Sequence, residues 1–196
     1  MRLFSLLLFA LLLWAALQNP PITPEPDTSE RPAAASPEVS LRYQREDWPH
    51  WIDEDGDCQN TRQELLILTS RVPVRFTNDR GCTVASGQWL DPYTGNTYAL
   101  ASDVDIDHVV PLAYAHAAGG AAWSREERQR FANDPRNLLV VDDAVNQRKG
   151  SAGPSDFLPA QTFHRDYLRI WRDVVTLYGL QLLPEDARLL LSLIHI

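Results

Sequence analysis

Lysine is almost absent from this chain: Lys149 is the only one, and apart from histidine every other basic side chain is an arginine. Positive charge is scarce altogether, with 18 Lys and Arg against 26 Asp and Glu and a formal net charge of −8. That balance excludes a protein drawn to polyanions by its overall field. An anionic partner would have to be met by a local basic site, or with the help of a bound cation. Glu25, Asp27, Glu30 and Glu38 outnumber Arg2 and Arg31 at the start of the chain, but the remainder is acidic too.

Cysteine is limited to Cys58 and Cys82. Two thiols cannot build the paired Cys-x-x-Cys knuckles of a structural zinc site. In an oxidising compartment they read as one disulfide. No apolar run reaches the roughly 20 residues needed to span a bilayer. The longest, Leu3 to Leu17 behind Met1-Arg2, has the form of a signal peptide, expected over residues 1–18. Ala15-Ala16-Leu17-Gln18 is not a clean small-x-small cleavage triplet, so removal and retention as an N-terminal anchor both stay open. Either way the domain is expected outside the cytoplasm, in contact with membrane only if the segment is uncleaved. No internal repeat occurs at solenoid spacing.

What is present suits a single domain with a real core: 196 residues, 44% hydrophobic and 22% charged. Residues 19–47, rich in Pro, Ala, Ser and Glu without apolar periodicity, read as a disordered linker. The folded domain is expected over residues 48–190, leaving 191–196 as a tail that fits no terminal cap and whose His195 is given no role. Within the domain, Asn60 to Ser70 predicts a short buried helix. Val72 to Phe76 and Cys82 to Trp89 alternate as strands around the turn Asn78-Asp79-Arg80-Gly81, and Asp91-Pro-Tyr-Thr-Gly-Asn marks another turn. Strands are expected over Val104–Val110 and Asn137–Val141. Ser124 should cap a helix reaching about Ala132, and Asp142 or Asp143 one that carries Asn146 and ends at Gly150. Phe163, Tyr167, Ile170, Trp171, Val174 and Tyr178 line one face of a helix over Thr162–Tyr178, and Pro184 opens a last one.

Asp105-Ile-Asp-His-Val-Val-Pro-Leu places a histidine directly after a carboxylate. Asn137 and then Asn146-Gln-Arg-Lys-Gly follow at intervals that a hairpin and one helix could bring together. The arrangement resembles the HNH endonucleases, in the variant whose third letter is also Asn, with their ββα-metal finger. The surrounding chain, from about Trp48 to Leu183, is similar to a family of small secreted bacterial nucleases. That similarity is carried by Asp57-Cys-Gln-Asn-Thr-Arg-Gln-Glu-Leu-Leu, Cys82-Thr-Val-Ala-Ser-Gly-Gln-Trp, Asp91-Pro-Tyr-Thr-Gly and Phe131-Ala-Asn-Asp-Pro-Arg-Asn-Leu-Leu. The resemblance implies an α+β fold: a small mixed domain centred on the finger, with flanking helices and the Cys58–Cys82 disulfide.

It also implies hydrolysis of nucleic-acid phosphodiester bonds with little sequence preference, on DNA with RNA left open. His108 would be the general base, suited by a side chain largely neutral near pH 7. Asp107 and Asn146 would hold one divalent cation through oxygen, Mg²⁺ first, with Mn²⁺ or Ca²⁺ open. Asn137 would brace the imidazole or its loop. Asp105 and Glu64 are candidates for the metal or its surroundings, and Arg62, Arg148 and Lys149 for phosphate contacts. No protein partner is implied. An envelope-anchored binding module with a decayed nuclease site is the alternative. Asp53-Glu-Asp-Gly-Asp alternates like a calcium loop, but its glycine is misplaced and Cys58 stands where the loop should turn, so an acidic turn is expected. His116, beside two glycines, is expected in a mobile loop over the cleft, and His164 in a structural place.

Overall fold

The computed structural model describes residues 42–192. The export segment, residues 19–41 of the expected linker and residues 193–196 of the tail lie outside them. The described residues belong to one compact unit. It opens with a 3₁₀ turn at Arg45–Asp47 and the fully buried Trp48.

Helix α1 (Thr61–Thr69) starts where the Asn60 side chain accepts the Gln63 amide hydrogen, and it buries Leu65 and Leu66. A three-stranded antiparallel sheet follows: β1 (Arg75–Phe76), β2 (Val84–Leu90) and β3 (Thr97–Leu100), in that order. Strand β4 (Val104–His108) precedes two helices, α2 (Leu112–Ala117) and α3 (Arg125–Ala132). Ser124 and Glu127 close a reciprocal capping box at the start of α3. Strand β5 (Leu138–Asp142) returns antiparallel to β4, in unbroken register from Val104↔Asp142 to His108↔Leu138. Helix α4 (Asp143–Lys149) grows directly from β5, because the Asp142 carboxylate accepts the Val145 amide hydrogen at 2.7 Å. Gly150 ends it at φ 52°, a backbone angle that glycine adopts without strain. Helices α5 (His164–Tyr178) and α6 (Pro184–Ser192) complete the chain. The fold is thus α+β with small sheets, as expected.

Strand alternation makes the β4–β5 hairpin a partition between two cores. On one side Val104, Ile106, Leu138 and Val140 pack with Leu66 and Trp89. On the other, Val141 and Val145 join a core that holds Trp48, Phe131, Tyr167 and Trp171. Side chains at the end of the hairpin are therefore gripped from both sides.

Cys58 and Cys82 are bonded, with Cα atoms 5.2 Å apart, and tie the approach to α1 to the start of β2 across 24 residues. Closing a loop of that length stabilises the fold by roughly 3 kcal/mol on the chain-entropy account. Replacing both cysteines by alanine is expected to lower Tm by on the order of 10 °C. An unchanged melting curve would show that α1 and β2 hold each other without the bond.

One expectation is corrected here. His116 does not ride on a mobile loop: it lies in α2, only 4% exposed, with the rings of Tyr43 and Trp48 about it. Gly119 and Gly120 follow that helix and terminate it.

Candidate active site

The antiparallel pairing carries Asp107 and His108 to the last two rungs of the hairpin, opposite Leu139 and Leu138. Both residues border one cleft at the end of the hairpin, but their side chains take different partners. The His108 ring stacks on Trp51, with centroids 5.4 Å apart and planes inclined by 21°. Its Nε2 lies 2.8 Å from the Ala132 carbonyl oxygen. A carbonyl can only accept, so Nε2 carries the proton and Nδ1 is left with the lone pair. Burial pushes the imidazole pKa down to about 3. The ring is therefore neutral across the physiological range.

Asp107 is 4% exposed. One carboxylate oxygen accepts from Lys149 Nζ at 2.9 Å, and the other from the Tyr93 hydroxyl at 2.5 Å. The same ammonium donates to the His108 carbonyl oxygen at 2.9 Å. Lys149 thereby fastens the last turn of α4 to the end of β4. Burial pushes the Asp107 carboxyl up and the Lys149 ammonium down, and each group opposes the other's shift.

Asn146 stands one helical turn before Lys149 and shares its inner face. Its Nδ2 donates to Asp105 at 3.3 Å, and among the described residues its side-chain Oδ1 accepts no hydrogen bond. Asp105 is braced from behind by Arg62 at 3.5 Å, whose guanidinium also donates to the Ala101 and Val104 carbonyls at 3.1 and 2.8 Å. Arg62 therefore spends its hydrogen bonds inside the domain. Asn137 is fully buried and uses both ends of its amide on the backbone of Val110.

Asp107, His108 and Asn146 line one cleft of about 470 Å³, joined by Tyr43, Arg45 and Pro111. Asp105, Asn137, Arg62 and Lys149 stand outside its lining as supports. For Lys149 this corrects the expected phosphate contact, because its side chain is wholly buried and already paired. Arg62 is likewise committed to Asp105 and to backbone. Arg148 is exposed on α4, where its charge acts on Asp142. Glu64 is exposed and away from the cleft. Partial desolvation and the nearby Asp55, Asp57 and Asp53 carboxylates push its carboxyl up. Asp53, Asp55 and Asp57 hold carboxylate oxygens within 4.8 Å of one another at the surface. Asp53 accepts the Gly56 and Cys58 amide hydrogens, which makes the segment the expected acidic turn.

Asp107 and Asn146 could hold a hard divalent cation. Each Asp107 oxygen has a lone pair beyond the bond it accepts, and the Asn146 Oδ1 accepts no hydrogen bond among the described residues. Two protein oxygens would leave most of the coordination sphere to water and phosphate.

Four residues at the site are not singled out by sequence reasoning: Tyr93, Trp51, Tyr43 and Arg45. Tyr93 lies within the quoted Asp91-Pro-Tyr-Thr-Gly, so attention to its buried hydroxyl would have found it. Trp51 adopts φ 56°, unfavourable for a bulky residue and invisible in sequence. Tyr43 and Arg45 precede the expected domain boundary.

Residues 61–173 match the family model described as "GmrSD restriction endonucleases, C-terminal domain". A relative from Arthroderma benhamiae, described as an uncharacterized secreted protein, is 42% identical over 156 residues, covering 78% of this chain and 74% of that protein. No solved structure matches. Because the matched region exceeds half of the sequence and contains β4, β5 and α4, the chain belongs to the family of GmrSD restriction endonuclease C-terminal domains, a nuclease-related family.

Proposed function

We propose that this protein is an extracytoplasmic, metal-dependent endonuclease of the HNH type, cutting nucleic-acid phosphodiester bonds with little sequence preference. The observation that carries the reading is the cleft itself. His108, neutral and fixed at Nε2, shares it with the oxygen donors Asp107 and Asn146. Family membership supports nuclease chemistry, and the secreted description of the relative supports action outside the cytoplasm.

In this reading His108 Nδ1 takes a proton from the attacking water, and the bond from Nε2 to Ala132 keeps the ring from turning away. Trp51 holds the plane of the imidazole. Asp107 and Asn146 hold one divalent cation, Mg²⁺ in the first instance, which when bound supplies Lewis-acid stabilisation of the scissile phosphate. Asp105 and Arg62 keep the Asn146 amide oriented, and Lys149 with Tyr93 fixes the Asp107 carboxylate. Asn137 keeps the chain leaving His108 in place. No covalent intermediate is required.

Plasmid DNA incubated with the purified protein should be nicked in Mg²⁺ or Mn²⁺, and EDTA should abolish nicking. Single-stranded, double-stranded and RNA substrates in the same buffers establish the substrate range. DNA binding without cleavage, indifferent to chelator, would overturn the reading in favour of an envelope-associated binding module.

A further inference from the structure

A phosphodiester entering the cleft brings negative charge into an acidic protein, yet two of the expected cations are committed elsewhere. Lys149 is paired with Asp107, and Arg62 with Asp105 and backbone. Arg45 lines the cleft beside His108, Asp107 and Asn146, and among the described residues it forms no ion pair. It is exposed, and its charge acts on the Tyr43 hydroxyl, another element of the cleft wall. The Arg45 charge is also felt by the His108 imidazole.

The backbone beneath Arg45 is well held. Trp48, three residues on, is completely buried between Phe131, Trp123 and His116. Arg128 lies 5.8 Å from the centroid of the Trp48 ring and pairs with Asp47 at 3.8 Å. Asn133 donates to the Pro49 carbonyl at 2.8 Å and accepts the Ile52 amide hydrogen at 3.3 Å. Residues 43–52 thus form a strap that delivers Arg45 to the cleft and Trp51 to the face of the base. The whole strap lies before the residues matched by the family model.

We propose that Arg45, presented by this strap, binds the non-bridging oxygens of a substrate phosphodiester and is the phosphate-positioning residue of the cleft. A planar guanidinium suits that task because it offers two parallel donors to two phosphate oxygens. The inference rests on the nuclease reading above and adds a substrate contact from outside the family core.

The test compares wild type, Arg45→Gln, Arg45→Lys and Arg80→Gln, the last removing an exposed charge from the β1–β2 turn. Binding of a fluorescein-labelled DNA duplex in EDTA is followed by anisotropy across a salt series, and cleavage is measured in Mg²⁺. Arg45→Gln should raise Kd and KM roughly tenfold or more. It should also flatten the slope of log Kd against log salt by about one unit, with Tm unchanged. Arg45→Lys should recover part of the affinity and Arg80→Gln should match wild type. Wild-type values for Arg45→Gln, in a protein that binds and cuts DNA, would overturn this inference alone. A matching loss in Arg80→Gln would also overturn it, since the effect would then be general charge. Wild-type protein that neither binds nor cuts would remove the nuclease reading and this inference with it.

Discussion

His108→Ala is expected to slow phosphodiester cleavage by roughly two to four orders of magnitude, the usual worth of a positioned general base. The domain should remain folded, because the lost bond to Ala132 and the lost stacking on Trp51 each contribute about 1 kcal/mol. His108→Gln is the sharper variant: it keeps an amide able to donate to Ala132 but offers no basic nitrogen. Cleavage of a defined duplex in Mg²⁺, with Tm recorded for each protein, checks the expectation. Either variant cutting at the wild-type rate would remove His108 from the chemistry. Asp107→Ala should differ in kind, losing metal affinity together with activity.

Lys149→Met carries the largest expected cost in stability. Asp107 would remain buried, opposite a thioether in place of an ammonium, with only the Tyr93 hydroxyl to compensate its charge. Breaking one side of a buried ion pair typically costs about 3–5 kcal/mol, a fall in Tm on the order of 10 °C for a domain of this size. Adding Asp107→Asn to that variant should restore much of the loss, since no charge is then stranded. A double-mutant cycle by thermal melting measures the coupling. A Lys149→Met protein that melts with wild type would show that the ammonium is not what balances Asp107.

The middle of the fold is legible in sequence because its local signals agree with its tertiary role. Alternation marks β4 and the apolar run Leu138–Val141 marks β5, Asp142 supplies the cap of α4 and Gly150 its end, and the three elements fall within two residues of expectation. The same holds for α3 behind Ser124 and for the apolar stripe of α5. Strand β3 escapes because three of its four residues are exposed, leaving no alternation to read. Helix α2 escapes because its alanines and the glycines after it look like a loop. At the site, Asp107, His108 and Asn146 are recognisable from residue type and spacing. The committed role of Lys149 is not: lysine is so seldom fully buried that residue type points to solvent, while its helical phase with Val145 and Asn146 points inward. The strap is hidden for another reason. Its hold comes from Arg128 and Asn133, some eighty residues downstream, and no local pattern announces contacts at that distance.

Asn137 gives its position a meaning independent of catalysis. Paired strand residues stop at His108 and Leu138, yet the Val109 amide still bonds to the Asn137 carbonyl. The Asn137 side chain then accepts from the Val110 amide at 2.8 Å and donates to the Val110 carbonyl at 3.1 Å. A carboxamide has the donor and acceptor of a peptide unit, so this side chain impersonates one further strand residue and extends the ladder past its last rung. Aspartate would keep the acceptor but press a carboxylate against a carbonyl, and glutamine would set the same amide one methylene too far away. The hairpin thus acquires a false final rung made of side chain, which lets the chain turn at Pro111 without loosening its grip on the histidine three residues earlier.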